Sequence, residues 1–163
     1  MKQLLILCGI LLVTLSCKKT TTNVFAIGIT NRADSLLQVT LFPKAEFLKG
    51  DLYKSSSMGG GYSVTKYSLL NNVSGGLYYT DDLDITPNQL LNSIFDSIWI
   101  KISLDSVVTI KFCPKNAINY KENMYSDSSN WLYSGENRIK HGVSSETVVH
   151  TYDFEISLNK IGE

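Results

Sequence analysis

Apolar residues at every second position dominate this chain, and that period limits its fold more than any other feature. In segment 98–104 every even-numbered position is isoleucine or leucine, while the odd positions carry Trp99, Lys101 and Ser103. Segment 148–158 repeats the period, with His150 among the even-numbered apolar residues. A period of two is typical of strands that bury one face. The pattern predicts an all-β fold.

Turn residues between the alternating segments predict how the strands connect. Asn31 to Ser35 separate strands 24–30 and 37–41, which predicts a first hairpin, with Pro43 ending its second strand. Asp105-Ser106 separates strands 98–104 and 108–112, which predicts a second hairpin. Further strands are predicted over 62–69, 77–80 and 148–158. We expect the last of these to pair with strands formed early in the chain.

One segment has helical periodicity. Thr86 is a favourable N-cap, Pro87 suits the first helical position, and Gln89 follows three residues after the cap. Apolar residues then recur at helical spacing, so a short helix is predicted over 87–95. The segment 116–142 is polar and is predicted to be irregular.

Together these elements predict a single antiparallel β-sandwich, immunoglobulin-like or similar, over residues 24–163. It would contain about seven or eight strands and one short helix that closes one end of the core.

The N-terminus has the pattern of an export signal. Lys2 supplies a positive charge, and Leu4 to Leu15 is almost wholly apolar. A helix that crosses a bilayer needs about 20 apolar residues, so this run is too short to span one. Its length and position fit the apolar region of a signal peptide.

The end of the apolar run, Thr14-Leu15-Ser16-Cys17, resembles the lipobox of bacterial lipoproteins. The resemblance implies a diacylglyceryl group on Cys17 and cleavage just before it, so residues 1–16 would be the signal and 17–23 a lipidated tether. The Ser-Cys-Lys-Lys string and polar tail resemble lipoproteins of Bacteroidota-type bacteria. Lys18 and Lys19 would lie beside the lipid headgroups. The implied location is the cell envelope, on the periplasmic or surface face of the outer membrane.

Short segments of the domain resemble small uncharacterised lipoproteins of the same bacteria. They are 95–98, 109–112, 130–131 and 152–156. That family implies a β-rich envelope domain and brings no activity with it. With Cys8 in the signal and Cys17 acylated, Cys113 would be the remaining thiol, and we expect it to be packed in the fold.

Charge and motifs predict no catalytic, cofactor or metal site. Acidic and basic residues balance at 15 each, and no basic stripe indicates nucleic-acid binding. The hydrolase elbow Gly-x-Ser-x-Gly, the zinc motif His-Glu-x-x-His and the phosphate loop are missing from the sequence. His141 and His150 have no recognisable catalytic partner. Asp81, Asp82 and Asp84 are compatible with Ca²⁺ but also with the start of the following helix.

Aromatic residues are the best candidates for ligand contact. The chain has nine tyrosines and two tryptophans. Tyr79, Trp131 and Tyr133 are candidates for ligand contact, because exposed rings stack on the faces of sugars. The favoured alternative is that these rings fill the sandwich core or cover its ends, with Trp131 and Tyr133 as internal anchors of segment 116–142.

Three Asp-Ser-apolar sequences match the O-glycosylation sequon of these bacteria and mark Ser35, Ser97 and Ser106. Asp-Ser is also ordinary turn chemistry, so modification of these serines is a hypothesis.

Three functions remain open at this point. The leading hypothesis is a lipid-anchored, non-enzymatic module that binds or scaffolds a glycan or an envelope protein. A glycan-active hydrolase and an inhibitor or immunity-type lipoprotein are the alternatives.

Overall fold

A computed structural model describes residues 19–49, 66–103 and 107–162 of the chain. Within them nine strands form two sheets, accompanied by one two-turn helix and a single helical turn. The strands are β1 (Thr20–Arg32), β2 (Leu37–Pro43), β3 (Lys66–Leu69), β4 (Ser74–Thr80), β5 (Phe95–Ser103), β6 (Val107–Cys113), β7 (Asn116–Ile118), β8 (Leu132–His141) and β9 (Ser145–Ser157). The helical turn is α1 (Ala45–Lys49) and the helix is α2 (Pro87–Ile94), with 3-10 turns at Ser128–Asn130 and Leu158–Lys160.

The two sheets are sheet A, in the order β4-β1-β9-β8, and sheet B, in the order β3-β2-β5-β6-β7. The predicted β-sandwich with one short helix is confirmed. One pairing differs from the antiparallel expectation, because β1 and β9 run parallel over their whole length, from Thr20 opposite Ser145 to Arg32 opposite Ser157. A parallel pair needs a long crossover connection. Here all the strands of sheet B lie between β1 and β9 in sequence.

The first predicted hairpin is wrong, because β1 and β2 lie in different sheets. Asn31, which is fully buried, forms the corner between them. Its amide nitrogen donates to the carbonyls of Ser35 (2.7 Å) and Leu69 (3.0 Å), and its Oδ1 accepts from the Ala33 N–H (2.9 Å). These bonds satisfy buried backbone groups where the chain leaves one sheet for the other.

The second predicted hairpin is confirmed as β5 and β6, which pair antiparallel with Ile100 opposite Ile110. Its turn, 104–106, lies outside the described residues. The last strand, β9, pairs with β1, the first strand of the chain. The expected pairing of the last strand with an early one is therefore confirmed.

The prediction that 116–142 is irregular is wrong, because β7 and β8 lie in it. Strand β8 is an edge strand of sheet A and is exposed along almost its whole length. Both faces of such a strand contact water, so its sequence lacks the alternation by which a half-buried strand is recognised. His141, expected in a loop, is the last residue of β8.

The core fills the space between the inner faces of the sheets. Isoleucines dominate it, and those with an exposed fraction of at most 2% are Ile27, Ile29, Ile94, Ile98, Ile100, Ile102, Ile110 and Ile156. Helix α2 closes one end through Leu90, Leu91 and Ile94, as predicted. The Thr86 N–H donates to Gln89 Oε1 (3.0 Å), which caps the helix start.

Part of sheet A reaches beyond this two-layer core. In the main core cluster the residues of β1 begin at Phe25 and those of β9 begin at Phe154, and Val148, on the same face of β9, is buried outside that cluster. We call the remaining part, residues 19–24 and 136–150, the sheet A extension. It contains residues 20–23 of the segment predicted as a tether, so at most residues 17–19 remain for that role.

Buried polar groups join the loop after β7 to the sandwich. The Tyr120 hydroxyl donates to the Glu155 carbonyl (2.9 Å) and accepts from the Ser157 N–H (3.1 Å). The Trp131 indole N–H donates to the Met124 carbonyl (3.0 Å). By contrast, the buried Tyr125 hydroxyl has no hydrogen-bond partner within the described chain, and burial raises its pKa.

Two tyrosine variants should distinguish the hydrogen-bonded hydroxyl of Tyr120 from the hydroxyl of Tyr125, which has no described partner. Tyr120→Phe leaves the Glu155 carbonyl and the Ser157 N–H without their partner, so we expect a loss of about 1–3 kcal/mol in the free energy of unfolding. Tyr125→Phe removes a buried hydroxyl that has no bond to lose, and its stability should be unchanged or higher. Urea unfolding of both variants measures the difference. Equal losses would contradict the assignment of the Tyr120 bonds.

Candidate functional site

A cleft of about 420 Å³ lies where sheet A passes beyond the core. One wall is the inner face of sheet A, and the other is the segment that leads into α2. The described residues that line it are Phe25, Leu83, Ile85, Thr86, Pro87, Ser128, His150 and Tyr152. Its volume falls in the range of ordinary small-molecule sites, and the lining combines apolar groups with a few polar ones, as such sites usually do.

Aromatic rings from three neighbouring strands form a continuous group at the cleft. Phe25 of β1 stacks on Tyr152 of β9, with 5.0 Å between ring centroids and 28° between planes. Tyr133 of β8 packs against Tyr152 (5.2 Å, 56°) and lies 6.4 Å from the His150 ring. The Tyr133 hydroxyl is 3.4 Å from His150 Nδ1. Since Tyr133 is 52% exposed, this aromatic group presents a ring to solvent.

The parallel β1–β9 register brings the first two rings together. Phe25 pairs with His150, and Ile27 pairs with Tyr152, so all of these side chains occupy one face of sheet A. Because the core begins at this level of the sheet, Tyr152 packs only partly against it. The remaining surface of the ring faces the cleft.

A β-bulge places Tyr133 on the same face. From His141 to Gly135 each β8 residue follows one register with β9, and the register shifts between Gly135 and Tyr133. The shift puts Tyr133 opposite Tyr152, whereas an unbroken register would put Ser134 there. Gly135 has a φ of 131°, a conformation that residues with a side chain rarely adopt.

The segment before α2 forms the opposite wall. Leu83, half exposed, and Ile85 supply its apolar surface, and Pro87 is buried at the helix start. Within this segment Asp82 Oδ1 accepts the Asp84 N–H (3.0 Å), so the carboxylate shapes a turn. Across the described residues no three histidine, cysteine or acidic side chains converge as metal ligands would.

The structure separates the three predicted ligand-contact residues. Tyr133 packs against Tyr152 and His150, which line the cleft, although it does not itself belong to the described lining. Trp131 is 5% exposed, packs on Phe154 and donates its indole N–H to the Met124 carbonyl, so it occupies the core, which was its alternative role. Tyr79 is half-buried next to Tyr78 (6.0 Å) and does not belong to the described lining.

Phe25, His150 and Tyr152 were not predicted as site residues. The period of β9 placed His150 and Tyr152 on one apolar face, which suggested core positions. Only the position where the core stops distinguishes a ring that fills the interior from one that lines a cleft, and periodicity carries no information about that position.

Ser35, Ser97 and Cys113 do not belong to the described lining of the cleft. Ser35 is half-buried and its hydroxyl donates to the Ser103 carbonyl, and Ser97 is half-buried within β5. Ser106 and Cys17 lie outside the described residues. O-glycosylation of the three serines and lipidation of Cys17 stay predictions. Cys113 is a free, half-buried thiol, consistent with packing in the fold.

The lining offers stacking surfaces together with the Thr86 and Ser128 hydroxyls and the His150 imidazole. None of the described lining residues is acidic. No protein-family model, curated protein or solved structure matches this chain. No helix among the described residues has the length and apolar character needed to cross a membrane.

Replacing Gly135 should move Tyr133 away from the cleft. A Cβ at this position has open space around it, so the expected cost of Gly135→Ala, about 1–3 kcal/mol, comes from the backbone conformation. Relief of that strain by removing the bulge would turn Tyr133 to the other face of β8. Nuclear Overhauser effects between Tyr133 and Tyr152 should weaken or vanish. Gly76→Ala, at a position with open space and without a positive φ, is the control, and equal losses in both variants would contradict this role of the bulge.

Proposed function

We propose that this chain is a lipid-anchored protein of the bacterial cell envelope that binds a carbohydrate in its aromatic cleft without turning it over. The stacked group of Phe25, Tyr152 and Tyr133 beside His150 is the observation on which the proposal depends. Aromatic faces suit the C–H faces of sugar rings, and the neighbouring hydroxyl and imidazole groups suit sugar hydroxyls.

The composition of the cleft favours binding over hydrolysis. Glycoside hydrolases use two carboxyl groups, about 5–5.5 Å apart in retaining enzymes and about 6.5–9.5 Å apart in inverting ones. The described lining contributes aromatic, aliphatic, hydroxyl and imidazole side chains and no carboxylate. Hydrolysis is therefore less favoured than binding. The binding experiment described below also tests for it.

Membrane attachment is supported by the lipobox that ends at Cys17. A single acyl chain binds a membrane only marginally, whereas the two chains of a diacylglyceryl group hold a protein stably. The outer membrane is the proposed location, on either its periplasmic or its surface face.

Cys17→Ala should abolish the anchor. The variant should keep its signal peptide and show no lipid mass on residue 17, because both cleavage and acylation depend on the thiol. Intact mass and membrane fractionation measure both effects. Cys113→Ala is the matched control and should be processed like the unsubstituted protein. Cleavage and lipid attachment that persist in Cys17→Ala would contradict the proposed anchor.

Tyr133→Ala should weaken carbohydrate binding. Loss of one stacking ring is worth about 1 kcal/mol, which corresponds to a roughly fivefold weaker affinity. Titration calorimetry follows a screen of envelope and host glycans with the mature protein. Tyr79→Ala is the control and should bind normally, because the described ring contact of Tyr79 is with Tyr78, whereas Tyr133 packs against the lining residues Tyr152 and His150.

Three results would contradict the binding proposal. Release of reducing ends from a bound glycan would indicate a hydrolase. Equal affinity in Tyr133→Ala and the unsubstituted protein would remove the aromatic group as the binding site. Absence of glycan binding together with stoichiometric capture of one protein would favour an inhibitor or immunity-type lipoprotein.

A further inference from the structure

We propose that the tip of the β8–β9 hairpin docks on the anionic headgroup surface of the membrane, with Val143 inserted among the lipids. The inference rests on the proposed lipidation of Cys17 and goes beyond it, because it assigns a membrane-contacting surface to the folded domain and orients the cleft.

The chain is bound to sheet A from its first described residue onward. Lys19 Nζ lies 2.6 Å from Glu146 Oε2, and the Thr20 N–H donates to the Ser144 carbonyl (2.8 Å). From Thr20 the parallel register with β9 begins at Ser145. The start of β1 therefore lies directly beside the hairpin turn that carries Val143.

The distance from the lipid to this turn is short. Cys17 precedes Lys19 by two residues, and an extended chain spans at most about 3.6 Å per residue. Lys19 therefore lies within about 7 Å of the Cys17 Cα. The headgroup layer of one leaflet is about 5–8 Å thick. With so little chain between them, the lipid holds the hairpin turn at the headgroups.

The surface chemistry of the tip suits an anionic bilayer. The Val143 side chain is fully exposed, at 100%, and the positive φ of Gly142 (75°) shapes the turn next to it. The two acidic residues nearby, Glu136 and Glu146, are paired with Arg138 and Lys19.

The remaining lysine at the tip is free to bind lipid. Lys140 is exposed, and its side chain has no ion pair or hydrogen bond with the described residues, although its backbone pairs with Glu146 in the β8–β9 ladder. Each lysine near an anionic leaflet adds to the attraction. An exposed apolar residue next to an exposed lysine without an ion pair is the arrangement expected of a surface that contacts headgroups.

This contact would orient the domain. Strands rise about 3.3 Å per residue, so His150, five residues after Ser145, lies about 16 Å along the sheet from the tip. The cleft would then open just above the headgroups. Leu70 and Val73 would lie at the far end, because the backbone of the β3–β4 turn bonds to Asn31 near the end of β1.

Quenching by brominated lipids tests the contact. Mature lipidated protein is reconstituted in phosphatidylethanolamine–phosphatidylglycerol vesicles that carry bromine on the acyl chains. Val143→Trp should show at least twofold more quenching than the unsubstituted protein, whose Trp99 and Trp131 supply the background. Leu70→Trp, also at an exposed site, is the matched control and should show no added quenching. Circular dichroism checks that both variants are folded.

Reversing the charge at Lys140 tests the electrostatic contribution to membrane docking. Lys140→Glu in the Val143→Trp background should reduce the added quenching at least twofold in the same vesicles. Undiminished quenching would overturn the assigned role of Lys140.

The outcomes separate this inference from the proposed function. Lipid on Cys17, found by mass spectrometry, together with an unquenched Val143→Trp would overturn the docking surface and leave the anchor standing. Equal quenching of the Val143 and Leu70 variants would overturn the proposed orientation. Absence of lipid on Cys17 would overturn both the anchor and the docking surface.

Discussion

The parallel pairing of β1 with β9 is the interaction on which the rest of this structure depends. It joins the first and last strands along 13 residues of each and forms the centre of sheet A. Its register sets Phe25 beside His150 and Tyr152, and it sets Thr20 beside the turn of the β8–β9 hairpin. The aromatic group and the short connection to the proposed anchor both follow from this one alignment.

The unequal extent of the two sheets determines where ligands can approach. Where the sheets overlap, the inner face of sheet A is buried in a dry core. Where the core ends, the same face carries Tyr152 and His150, and the segment before α2 covers it only partly. The same alternation that buries the later residues of β9 also places His150 and Tyr152 on the inner face of sheet A. This strand therefore needs no special sequence to form one wall of the cleft.

The proposed anchor and the cleft are linked through β1. A flexible tether would let the domain move away from the bilayer, but the strand begins at Thr20 and leaves little free chain after Cys17. A ligand in the cleft would then be held close to the membrane surface. That placement suits a protein that binds envelope or host glycans close to the membrane.

Local patterns in the sequence were sufficient for the β-rich class, the β5–β6 hairpin and helix α2, because alternation, turn residues and capping act between near neighbours. They failed for β8 and for the supposed β1–β2 hairpin. A period of two reports that one face of a strand is buried and does not report which strand covers it or where the cover ends. Asn31 turns the chain into the other sheet, and the Gly135 bulge turns Tyr133 to the face of sheet A that carries Tyr152. Both depend on contacts with residues far away in the sequence, so they emerge only when the whole chain has folded.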